Sequence, residues 1–109
     1  MRVTNVESNL DVDDPVASID PAASAAFTNW YRAEFHQVVA LVYVLCGSRW
    51  AAEELTQDAF VQAHKNWAEI ADYQNPGAWV RRVAVNRARS WGRRRAAEKR
   101  VLAKHFARR

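Results

Sequence analysis

Cysteine occurs once in this sequence, at Cys46, which excludes an internal disulfide and any zinc site built from several thiolates. Cys46 lies in an apolar stretch, a setting that favours a buried structural thiol over a reactive one. A reducing cytoplasm is the compartment this predicts. Glycine and proline are scarce, three of each in 109 residues, and no alternating run of Val, Ile and Thr is present. That composition argues against a β-sandwich or barrel. No stretch reaches the roughly 20 apolar residues of a membrane span, since the longest apolar run is Val38 to Cys46. The N-terminus has no basic region followed by an apolar core, so it does not read as a secretory signal.

The sequence does hold enough apolar side chains for a core, 50% of all residues. Its charge is unevenly distributed. Residues 1–20 carry one basic and five acidic side chains, residues 21–75 three and six, and residues 76–109 twelve and one. The net charge of +4 therefore conceals an acidic front and a strongly basic back, an asymmetry that points to a polyanionic partner at one end.

Residues 1–20 read as a disordered acidic leader. A first helix is predicted from about Ala22 to Leu45, with Phe27, Tyr31, Phe35, Val38, Val42 and Leu45 recurring at helical spacing. Gly47 is placed to stop it and Ser48 to cap a second helix, Arg49 to about Ile70. Ala52, Leu55, Ala59, Ala63 and Trp67 form the apolar stripe of that helix; Glu54, Gln57, Asp58, Val61 and Lys65 form its outer face. After a loop from Ala71 to Asn75, Asn75-Pro76 opens a third helix that runs at least to Trp91. Gly92 either ends or weakens it, and residues 96–109 make a basic linker or tail helix. The expected fold is all-α: a compact three-helix bundle over residues 21–95, with room for an extra short helix.

Little here can carry catalysis. His36, His64 and His105 lie far apart in the chain, without a second ligand at metal spacing. Glu53 and Glu54 are adjacent, so on a helix they diverge. No glycine-rich phosphate loop or nucleophile turn is present. No catalytic residue, metal site or cofactor is expected, and the chain does not read as an enzyme.

The third helix is different. Arg82, Asn86, Arg89 and Arg93 line one side of it, opposite Val80, Val83, Ala84 and Ala88. Arginines in such a row suit a phosphate backbone, and Asn86 among them has the donor and acceptor needed to read a base edge. Trp79 and Trp91 fit core packing better than base stacking, whereas Tyr73 in the loop suits either. Arg87 falls among apolar positions. Burying an unpaired charge costs several kcal/mol, so Glu53, Glu54 or a backbone carbonyl should meet it, or its head group should reach water. Val61, an aliphatic ringed by polar side chains, marks a docking patch or a stray surface residue.

Taken in order, Gly47-Ser-Arg-Trp-Ala-Ala-Glu-Glu-Leu-Thr-Gln-Asp-Ala-Phe60, then Trp67, Asn75-Pro-Gly-Ala-Trp79-Val-Arg-Arg-Val-Ala-Val-Asn86, Trp91 and Arg93-Arg-Arg95 resemble region 2 of bacterial sigma factors. Within these the string is most similar to the extracytoplasmic-function group, over about Phe27 to Arg95. The resemblance implies that the second helix docks on the clamp helices of the RNA polymerase β′ subunit, with Glu54, Gln57, Asp58, Val61, His64 and Lys65 as contacts. It implies that Tyr73, Gln74, Asn75 and Asn86 hold a flipped-out base of the −10 promoter element, on the non-template strand. Arg82, Arg89 and Arg93 would grip the strand backbone. It also makes an anti-sigma factor a candidate partner, with no membrane insertion. The family normally carries a second domain, region 4, for the −35 element, so the chain is expected to be either an excised domain or an atypical short protein. The competing readings are a helical nucleic-acid-binding regulator that does not bind polymerase, and an interaction module with a merely solvated basic tail.

Overall fold

The computed structural model describes residues 21–108, so the expected acidic leader lies outside the described residues. Helices α1 (Pro21–Cys46), α2 (Arg49–Lys65), α3 (Trp67–Ile70) and α4 (Pro76–Ala107) follow one another, with no strand among the described residues. The all-α expectation and the extra short helix are both met. Helix α1 packs on α2 and α4, and α2 on α4, so three long helices share one core.

The α1–α2 corner follows from local chemistry. Gly47 adopts a left-handed φ of 74° and its N–H donates to the Tyr43 carbonyl at 2.8 Å, closing α1. The Ser48 hydroxyl then accepts from the Ala51 N–H at 3.2 Å and caps α2. Val38 and Val42 are fully buried on α1, but Leu45, which continues their stripe, is exposed because its face has no packing partner in the last turn.

Helix α2 ends earlier than its apolar pattern predicts. Asn66 leaves the helical region with φ −111° and ψ 19°, and its side-chain amide donates to the Gln62 carbonyl at 2.8 Å. Short polar side chains compete with the backbone ladder in this way. The kink separates one-turn α3, whose Trp67 and Ile70 are buried. Trp67 meets Phe27 edge-on at 5.3 Å and Trp30 at 5.0 Å, while Phe60 meets Trp30 at 5.2 Å and Tyr31 at 5.1 Å. Aromatic pairs prefer such tilted and edge contacts. The alanines 51, 52, 59, 63, 84 and 88 are buried as well and supply the small side chains of the core.

The Asn75 side chain caps α4 by accepting from the Ala78 N–H at 3.1 Å, with Pro76 in the first turn. Gly92 does not interrupt this helix, which runs unbroken past residue 95 to Ala107. The last turns leave Val101, Leu102 and Phe106 exposed.

Thr56 is fully buried and its hydroxyl has no hydrogen-bond partner among the described residues. A buried unsatisfied group costs about 1–3 kcal/mol. Thr56→Val keeps the branched shape and removes the cost, so it should stabilise the domain by about 1 kcal/mol and raise Tm by about 4–8 °C. Thermal melting followed by circular dichroism checks this; a lower Tm would mean that the hydroxyl is satisfied in solution.

Candidate functional site

Two exposed surfaces are set by helical rotation. On α2, burial of Leu55, Ala59 and Ala63 turns Glu54, Gln57, Asp58, Val61 and Lys65 outward, all of them exposed. His64 is half-buried, its ring standing edge-on to Phe27 at 4.6 Å between centroids. Gln57, Val61 and His64 also border an open cleft whose far wall is Phe27, Thr28 and Tyr31 of α1. The six candidate docking residues thus share one surface, with His64 at its inner edge.

On α4, Gly77, Val80, Ala84 and Ala88 are buried, and Arg82, Asn86, Arg89 and Arg93 are exposed on the opposite side. Arg93 donates to the Ser90 hydroxyl at 3.0 Å. Arg100 and Lys104, both exposed, continue the same line at spacings of seven and four. From Arg82 to Lys104 the row spans about 33 Å at 1.5 Å per residue. The sequence reading stops this row at Arg93, because it leaves the helix beyond Gly92 undecided.

At the N-terminal end of that row lies a small open pocket of about 310 Å³ lined by Tyr73, Asn75, Ala78, Trp79 and Arg82. Tyr73 is 40% exposed and Trp79 half-buried. Trp79 therefore does two things: one part of its indole packs on the core, as the sequence predicts, and another forms a pocket wall. Gln74 is exposed in the same loop but does not line the pocket.

Asn86 is not in this pocket. It lies one helical turn beyond Arg82 and borders a separate groove between α2 and α4, with Leu55, Asp58, Val83, Arg87, Ser90 and Arg94. The residue expected to read a base and the residue expected to meet polymerase thus face one groove. No ion pair among the described residues ties Asp58 to Arg87 or Arg94.

Two arginines behave differently from the rest. Arg81, a possible phosphate ligand by position, pairs with Glu34 of α1 at 3.4 Å, and Gly77 beneath the pair leaves it room. Arg87 finds no carboxylate. Glu53 pairs instead with Arg49 at 3.7 Å on the surface. Only the Nε of Arg87 is buried without a partner, and its side chain runs into the α2–α4 groove. Of the alternatives stated for Arg87, no carboxylate pairs with it among the described residues, and its side chain borders the open groove. Arg95 sits over the Trp91 ring at 5.3 Å.

Among the described residues, no group of three or more His, Cys, Asp and Glu side chains gathers to hold a metal. No helix there is long and apolar enough to cross a membrane.

Residues 30–98 match the family model of sigma-70 region 2. The chain belongs to that family. Comparison with curated proteins and with solved structures gave no match. Sigma region 2 is a non-catalytic transcription domain acting in RNA polymerase binding and promoter recognition. The match begins inside α1 and ends inside α4, so it takes in both exposed surfaces and the loop pocket. The helix end that bears Val101, Leu102 and Phe106 lies beyond the matched span.

Proposed function

We propose that this chain is the region 2 domain of an extracytoplasmic-function sigma factor, in which the outer face of α2 docks on the β′ clamp helices of core RNA polymerase. The loop 71–75 and α4 then capture the non-template strand of the −10 element as the duplex opens. The observation that carries the reading is the pocket of Tyr73, Asn75, Trp79 and Arg82 at the head of the basic row on α4. Aromatic walls stack on an extruded base, which the amide and guanidinium can hydrogen-bond. The arginines beyond the pocket hold the backbone that leads away from it.

The physics of opening supports the same roles. The domain has no fuel, so it must bind the open strand better than the closed duplex. Unstacking costs a few kcal/mol per step. A pocket that fills only when a base leaves the stack offsets that cost and makes opening depend on sequence. An anti-sigma factor covering the α2 face would prevent the first step, the meeting with polymerase.

The test uses the full chain bound to core polymerase, with labelled non-template strand and matching duplex as ligands. The complex should prefer the single strand, and Tyr73→Ala should lower that preference about tenfold, the scale of one stacked base. Tight duplex binding by the free chain, unaltered by core polymerase, would replace this reading with that of a groove-binding regulator.

A further inference from the structure

We infer that Trp50 is the apolar anchor of the polymerase-docking face, seated in an apolar recess of core polymerase that is rimmed by basic side chains. The inference rests on the placement of docking on the outer face of α2.

Trp50 is 71% exposed, whereas the other four tryptophans are buried or half-buried. It enters none of the ring contacts that knit the aromatic cluster, nor the single cation–π pair among the described residues. The fold therefore gains little from it. A large indole left in water on the first turn of a helix is instead the composition of a binding hot spot, where tryptophan is enriched.

Its position supplies the partner. Trp50, Glu54, Gln57 and Val61 follow at spacings of four, three and four, so they lie along one stripe of α2. Val61, itself 50% exposed, is the second apolar point on that stripe. Glu54 on the stripe and Asp58 beside it are exposed carboxylates with no ion pair among the described residues, whereas Glu53 is paired with Arg49; these two specify positive charge around the recess that receives the indole. The surface therefore combines an apolar anchor with an acidic rim.

The experiment measures affinity of the full chain for core polymerase at low and high salt, with Trp50→Ala, Trp50→Phe and Asp58→Arg in parallel. Trp50→Ala should weaken binding about 30-fold, the loss of one hot-spot side chain. The loss should be the same at both salt concentrations, because apolar burial is not screened. Trp50→Phe should recover most of the affinity, and Tm should not move in either variant. If Asp58→Arg destroys binding while Trp50→Ala leaves it intact, the anchor is overturned and the docking face stands. If neither has an effect, both fall. Sedimentation of the free chain adds one further outcome: a dimer that Trp50→Ala dissociates, with polymerase affinity unchanged, would make this corner a self-contact and overturn the proposal.

Discussion

Asp58→Arg should reduce affinity for core RNA polymerase by at least about a hundredfold, because like charges brought together at an interface cost several kcal/mol. Asp58 is exposed on the α2 stripe between Glu54 and Val61, with no ion pair among the described residues to lose. Its reversal therefore leaves the core untouched, and circular dichroism should return the parent's melting curve. The position also borders the groove lined by Arg87 and Arg94, where the added cation stays open to solvent and its repulsion is screened. Asp58→Asn controls for this: it removes the charge without adding one and should lose affinity mainly at low salt. A folded Asp58→Arg variant with the parent's affinity would move the docking surface elsewhere.

Asn86→Ala should separate reading from gripping. If Asn86 contacts a base, the substitution costs about 1–3 kcal/mol on the preferred −10 sequence and little on others. Arg89→Ala should instead weaken every sequence alike and lower the salt slope by about one unit. Both residues are exposed, and among the described residues neither has a side-chain partner that would confuse the comparison with a fold defect. The geometry makes the expectation for Asn86 more specific. Because Asn86 stands one turn past the Tyr73–Arg82 pocket, the base whose identity it reads should be a neighbour of the one that Tyr73 stacks on. Strand binding over single-base variants, at several salt concentrations and in the polymerase complex, measures both effects. Uniform loss for Asn86→Ala would make it a backbone or structural residue.

Features that depend on a few consecutive residues were legible without coordinates. Gly47, Ser48 and Asn75-Pro76 act through their own backbone preferences and side-chain reach, so the corner and both helix caps followed from local chemistry. The stripes of α2 and α4 followed from the helical period, which assigns each side chain to a face before any partner is known. The charge of α4 likewise needed only counting. The identity of a docking or base-reading residue came from resemblance, since periodicity can say that Asp58 and Asn86 face outward but not toward what.

Other features depended on the relative placement of helices, and no local rule supplies that. The break at Asn66 sets one side-chain hydrogen bond against a continuing apolar pattern, and beyond it Trp67 joins the aromatic cluster while Ile70 is buried in the core. Arg81 pairs with Glu34 of α1, 47 residues away in sequence, while Glu53, a partner expected for Arg87, pairs with Arg49 instead. Trp79 became a pocket wall because the loop folds Tyr73 back beside it. Trp50 drew no notice in the sequence, although its spacing from Glu54 and Gln57 placed it on the outer stripe. Its exposure is a tertiary fact: no other helix covers that stripe, whereas the other four tryptophans are buried or half-buried. The one-dimensional pattern thus determined the helices, their faces and the sign of their charge. Which polar groups remain unpaired and which aromatics remain uncovered was decided by tertiary packing, because burial and pairing are properties of two surfaces in contact and a single helix encodes only one of them.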